Sequence, residues 1–282
     1  MPLLPTPHFA FSGSSTLPPA GSHILITDTL NASADFAIYH LVLEALRAEV
    51  QRKVVVVDFS GGRKSAGHWE AIGKRLGSPI PLKQSDGFSI ITPSCHDFLT
   101  TSSTSPSLYT EDDEPTLRDV YRSIQERVDE GALIVLDDLS ELLFLGFPTQ
   151  EVTRFVRAVM SLARQHNHII VSHIHADTLA SSTALQSFQP NDPDAAPPDL
   201  DLLLRLIRLG GGVWWRIEGL RTGRSGVVTG EISSHPLIPL PTDPRAHESG
   251  KVPVIPRSHP LQYRMEDSGI KTFAKGTGEG YL

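Results

Sequence analysis

Residues 23–58 read HILITDTLNASADFAIYHLVLEALRAEVQRKVVVVD, and this stretch decides the fold class. His23 to Asp28 is a short apolar run that closes on polar turn residues, the pattern of a buried strand. Phe36, Tyr39, Leu43, Leu46 and Val50 then recur at spacings of three and four, which puts them on one helical face. Val54 to Val57 is four valines ending at Asp58, apolar on both sides, as a central parallel strand covered by helices above and below must be. Strand, helix and strand in that order make one β–α–β unit.

The unit repeats outward. Trp69, Ile72 and Leu76 mark a second helix that Pro79 and Pro81 stop, and Phe88 to Thr92 (FSIIT) is a third strand. Leu117, Val120, Tyr121, Ile124 and Val128 give an amphipathic helix, and Ala132 to Leu136 a fourth strand running into Asp137 and Asp138. Val152, Phe155, Val156, Val159 and Leu162 repeat the helical spacing before a fifth strand, His168 to His173. Such alternation predicts an α/β fold, a mostly parallel sheet with right-handed crossovers and helices on both faces. After Asp177 the pattern changes: Leu202–Leu209, Val213–Leu220 and Val227–Ile232, joined by glycine turns, read as antiparallel strands extending the C-terminal edge. The tail from Gln262 to Lys275 could add a last hairpin.

This predicts a disordered N-terminal segment, 1–22, and a single domain, 23–282. Disordered insertions are expected near 100–113 and 181–199, with a proline-rich irregular stretch over 235–260. A net charge of −7 argues against a surface that grips nucleic acid or an anionic membrane all over. Cys95 is the only cysteine, so there is no disulfide framework and no thiol cluster for zinc or iron. The N-terminus fails as a secretory signal and no apolar run approaches the roughly 20 residues of a membrane helix, so a soluble, intracellular protein is expected.

The chemistry is read against a phosphate-binding loop, in which a first strand leads into GxxxxGK[ST]. Here the equivalent stretch, Thr27 to Asp35, is TDTLNASAD, with no glycine and no lysine. Asp28, Asn31 and Ser33 stand in the degenerate loop, and Asp28 and Asp35 place carboxylates where phosphates would sit. The bland reading is a strand-to-helix loop with Ser33 or Asp35 as N-cap. Asp137 and Asp138 end the fourth strand in the form of a Walker B acid, or as plain turn residues. Arg63 and Lys64 follow Gly61 and Gly62, as an anion contact or a solvated turn. His166, His168, His173 and His175 resemble a metal cluster, and His173 and His175 point to one strand face, but the sequence supplies no cysteine, and no carboxylate closer than Asp177, to complete it. No catalytic group, cofactor or metal is expected. Trp214, Trp215, Arg216, Arg221 and Arg224 concentrate arginine beside aromatics, the chemistry of a protein interface or an RNA contact.

The stretch LITDTLNASADF after the first strand, LDDLSELLFLG from Leu136 to Gly146, and YRMEDSGIKTFAKG from Tyr263 to Gly276 together resemble the Elongator complex protein 6 family. The resemblance implies a RecA-like subunit without a Walker A loop. It implies partnership with Elongator subunits four and five in a heterohexameric ring, and with the catalytic Elongator core. It further implies tRNA binding through the assembled ring in support of wobble-uridine modification, in cytoplasm and nucleus, and no membrane. The competing reading is a degenerate nucleotide hydrolase whose site is shared between neighbouring subunits, with Asp138 holding magnesium.

Overall fold

A computed structural model describes residues 17–48, 52–76, 80, 87–94, 105–110, 114–177, 197–220, 228–237, 260–266 and 269–274. Among the described residues nine strands form one sheet: β1 (His23–Asp28), β2 (Val54–Asp58), β3 (Phe88–Ile91), β4 (Leu133–Asp137), β5 (Ile169–His175), β6 (Gly212–Gly219), β7 (Gly230–Leu237), β8 (Leu261–Glu266) and β9 (Gly269–Ala274). Their spatial order is β3-β2-β4-β5-β1-β6-β7-β8-β9. The first six lie parallel, while β7, β8 and β9 each run antiparallel to the neighbour before them.

Burial on both faces explains why the parallel strands read as continuous apolar runs. Ile24, Ile26, Val54, Val56, Val135 and Val171 face α1 (Asp35–Arg47) and α2 (Ala66–Arg75). Leu25, Val55, Val57, Ile134, Leu136 and Ile170 face the other layer, α3 (Arg118–Arg127), α4 (Ser140–Phe144), α5 (Thr149–Gln165) and α6 (Pro198–Leu209). Each fully buried valine of β2 contributes about 1.5–3 kcal/mol through the apolar area it removes from water. Trp69 anchors α2, its ring 5.2 Å from Tyr39 and 5.3 Å from Phe88.

Two sequence expectations change at the C-terminal side. Residues 202–209 are not a strand but most of helix α6, with Leu200, Leu203 and Leu206 buried at a helical spacing of three. Pro198 stands in the first turn with Asp199 and Asp201, and Gly210 follows the last turn at φ +64°, so the start and stop signals of a helix outweigh the apolar density of the run. Strand β6 pairs in parallel with β1 and antiparallel with β7, so the antiparallel extension begins one strand later than the glycine turns suggest.

Within the segment 1–22, Leu17 packs in the core at 5% exposure, and the Gly21 amide donates to the His168 carbonyl oxygen at 2.8 Å. Residues 1–16 lie outside the described residues. In the stretch 100–113, Leu108 is buried and Ser107 bridges to Ser94, while 100–104 and 111–113 lie outside the described residues. So do residues 181–196 and 238–259, and with them most of the second insertion and of the proline-rich stretch. No helix among the described residues is long and apolar enough to cross a membrane.

His23 opens β1 with its ring wholly buried and its Nε2 3.0 Å from the Ser172 hydroxyl. Burial pushes its pKa down from 6.5 to about 4. The unfolded chain therefore takes up a proton that the fold refuses, and stability falls as pH drops from 6.5 through 4. At pH 5 this residue alone should cost roughly 2 kcal/mol relative to pH 7.5. Urea titrations at the two pH values should show the loss, and His23→Asn should remove that share of it; an unchanged pH dependence in the variant would assign the effect elsewhere.

Candidate functional site at the carboxyl edge of the sheet

The strand order places β5 between β4 and β1, so residues separated by more than a hundred positions converge where the three strands end. His173 and His175 alternate onto the same side of β5, their rings 5.1 Å apart and nearly perpendicular. Asp28, at the end of β1, faces both: its Oδ1 lies 2.5 Å from His175 Nδ1 and its Oδ2 3.3 Å from His173 Nε2. Asp137 Oδ1, at the end of β4, lies 3.0 Å from His173 Nδ1, and Asp138 Oδ1 3.3 Å from His175 Nε2. Each imidazole therefore has one nitrogen toward Asp28 and the other toward a carboxylate of its own.

The charges settle accordingly. Burial opposes a charge on His173, but the carboxylates of Asp137 and Asp28 outweigh it and raise its pKa to about 9. Hydrogen bonds to Asp138 and Asp28 lift His175 to about 10. Burial pushes Asp28 and Asp137 upward, yet the imidazoles, and Lys64 at Asp137, hold both below the usual carboxylate range.

Lys64 is the residue whose role the sequence least reveals. It comes from the loop after β2, where Gly61 and Gly62 adopt φ +74° and +86° and the Asp58 carboxylate accepts the Ser60 and Lys64 amides at 3.0 and 3.2 Å. That turn swings the Lys64 side chain inward, 12% exposed, to set Nζ 2.5 Å from Asp35 and 2.7 Å from Asp137. Burial works against this charge, but the two carboxylates raise its pKa further than burial lowers it. The solvated-turn reading is corrected for Lys64, and the anion it contacts is internal.

The loop at the phosphate position is closed on itself. Asp28 Oδ2 accepts the Ala34 amide at 2.8 Å, Asp177 Oδ1 the Leu30 amide at 2.9 Å, and the Ser33 hydroxyl the Asp35 amide at 3.2 Å. Thr29 and Ala32 exchange backbone bonds at 2.9 and 3.4 Å. Asn31 and Ser33 are exposed, and Ala34 rather than Ser33 or Asp35 takes the N-cap position. Asp28 and Asp35 are not the pair of free carboxylates the sequence suggests, because His173, His175 and Lys64 neutralise them in place.

Asp138 turns the chain at φ +61°, and the Ser140 hydroxyl of the DDLS motif accepts the His175 amide at 2.8 Å. Trp214 and Trp215 fall on opposite sheet faces, as neighbouring strand residues must. Trp215 is 1% exposed in the core, which corrects its reading as a contact residue. Trp214 donates its indole N–H to Thr27 at 2.8 Å, and Arg216 pairs with Glu218. Arg221, Arg224 and Cys95 lie outside the described residues. Sequence reasoning missed the convergence on Asp28, since β1 and β5 neighbour one another only in the folded sheet. Three large apolar side chains among the described residues stand exposed: Leu30 at 87% after β1, Phe144 at 81% at the end of α4 and Met265 at 52% in β8.

The sheet order defines a RecA-like α/β fold, with the carboxyl edge of its parallel strands occupied by its own charged side chains. A solved KaiC-like protein from the hyperthermophilic archaeon Pyrococcus horikoshii has the same fold, with a TM-score of 0.52 and 9% identity over 90% of this chain and 91% of that one. The family model described as Elongation complex protein 6 matches residues 10–236, and the chain belongs to that family. None of the curated proteins matches the sequence.

Proposed function

We propose that the chain is a non-catalytic subunit of the Elongator complex, in a heterohexameric RecA-like ring with subunits four and five that assists tRNA binding during wobble-uridine modification by the catalytic core. The observation that carries this reading is the filled edge: the amides of residues 29, 30, 32, 34 and 35 already have acceptors, and Lys64 is tied to Asp35 and Asp137. A triphosphate would need those same donors. Asp138, the residue that a degenerate hydrolase would use for magnesium, faces His175. Work on tRNA in cytoplasm and nucleus belongs to the same proposal, with subunit contacts taking the place of nucleotide chemistry.

Leu30 and Phe144 supply the apolar contact such an assembly needs at this edge. Leu30→Asp or Phe144→Asp should weaken assembly at least about 30-fold, the equivalent of a 2 kcal/mol hot spot. The monomer's own stability should move by less than about 0.5 kcal/mol, because both side chains are in water before assembly. Analytical ultracentrifugation of the chain, alone and co-expressed with subunits four and five, tests the reading. A species of hexamer mass formed only with partners supports it; a monomer that ignores them overturns it. Magnesium–ATP titrated into the isolated chain should give no binding heat, and a signal abolished by Asp138→Ala would favour the hydrolase.

A further inference from the structure

Asp28, His173 and His175 offer one ligand atom each, all within 4.8 Å of one another. The histidines come from one strand and the carboxylate from its neighbour, so the sheet's hydrogen bonds hold the backbone that carries all three. Tetrahedral zinc with bonds of about 2.0–2.1 Å sets its ligands roughly 3.3–3.5 Å apart. Asp28 Oδ2 and His173 Nε2 already stand 3.3 Å apart, and side-chain rotation on the order of 1 Å brings the rest to that spacing. His173 is 3% exposed, and its Nε2, 3.3 Å from Asp28 Oδ2, makes no well-aligned hydrogen bond.

The surroundings supply what a metal-bound imidazole needs. A histidine that ligates through one nitrogen donates its other N–H to a carboxylate or carbonyl, which fixes the ring and its tautomer. Here Asp137 lies 3.0 Å from His173 Nδ1 and Asp138 3.3 Å from His175 Nε2, so each ring has its own carboxylate behind it. The Ala34 amide holds Asp28 at 2.8 Å, and Lys64 holds Asp137 at 2.7 Å. We propose that Asp28, His173 and His175 bind one zinc-class divalent cation, with Asp137 and Asp138 orienting the histidines and a fourth position open to water on the side of His175. His175 is 37% exposed and gives the ion its way in. Two imidazoles with one carboxylate favour zinc over magnesium or calcium, which prefer oxygen alone.

Zinc itself is the probe. The full chain, stripped with a chelator and dialysed against zinc chloride, should retain one ion per chain, and cobalt in its place should give the visible d–d spectrum of a tetrahedral site. His175→Gln, at the half-exposed position, should abolish both while its circular dichroism stays that of the folded chain. Asp138→Asn, which touches no metal, should weaken zinc about 10–100-fold. His166→Gln, outside the cluster, should bind as the parent does. Failure of the parent chain to retain zinc, or equal retention by His175→Gln, would overturn the site and leave the pair as imidazolium ions bridging three aspartates.

Discussion

Replacing Lys64 with Met should lower the stability of the chain by roughly 3–5 kcal/mol, the cost of removing one partner from a buried ion pair. The pair itself adds little over a well-packed apolar substitute; the cost comes from the charge left behind. Asp137 has a wholly buried side chain, and without Lys64 its Oδ2 would face the interior with no cation at 2.7 Å. Asp35 is 40% exposed and can turn to water, so it adds only a small share. The double variant Lys64→Met with Asp137→Asn should therefore recover much of the loss, because the asparagine carbonyl still accepts from His173 and no buried carboxylate is left facing the missing lysine. Urea midpoints of the parent, both single variants and the double variant give the coupling directly. A loss under about 1 kcal/mol for Lys64→Met would put the contact in the class of surface ion pairs and remove the argument for a charge-filled edge.

Gly212→Ala should be as damaging, for a steric reason. A Cβ at this position would stand 1.6 Å from the backbone oxygen of His23, and backbone in the middle of a sheet cannot step aside as a flexible side chain does. Gly212 pairs with His23 at the first register position of β1 and β6, so any relief must separate those strands. Strands β7, β8 and β9 reach the rest of the sheet only through β6. The expected result is a loss above about 4 kcal/mol, the range that single substitutions reach only by such mechanisms, with amide exchange rising across β6 to β9 and along β1. Gly67 is the contrast: an alanine Cβ there meets nothing within 4 Å, and in helix α2 it should be neutral or stabilise by up to about 1 kcal/mol. Parent-like exchange in Gly212→Ala would mean that β6 does not need so close an approach.

The parallel core was legible in the sequence because burial on both faces leaves a local signature. Val54 to Val57 and Leu133 to Leu136 each carry their whole instruction within five residues. Helix α6 was misread because Leu202 to Leu209 is apolar enough for a strand, and Pro198 with two early acids decides the matter only when capping is weighed against density. The loop at the phosphate position showed plainly that glycine and lysine were missing. What fills the edge instead was hidden, since Lys64, Asp137 and His175 are brought together by strand order and no spacing along the chain encodes it. Trp215 was lost to the core by simple alternation, once the register of β6 was fixed by β1.

The place of β1 between β5 and β6 also bears on how the chain is made. Its first contact across the sheet, from His23 to Ser172, spans 149 residues. At about 5–20 residues per second, the ribosome leaves the apolar HILITD segment without either of its neighbours for roughly 7–30 s. Helix α1 emerges early and can shield one face, but the hydrogen-bonding edges of β1 stay open until the second half of the chain has been synthesised. Nascent chains of this protein are therefore a natural client for chaperones that cover strand edges, and slowing translation before residue 169 should raise the fraction that aggregates.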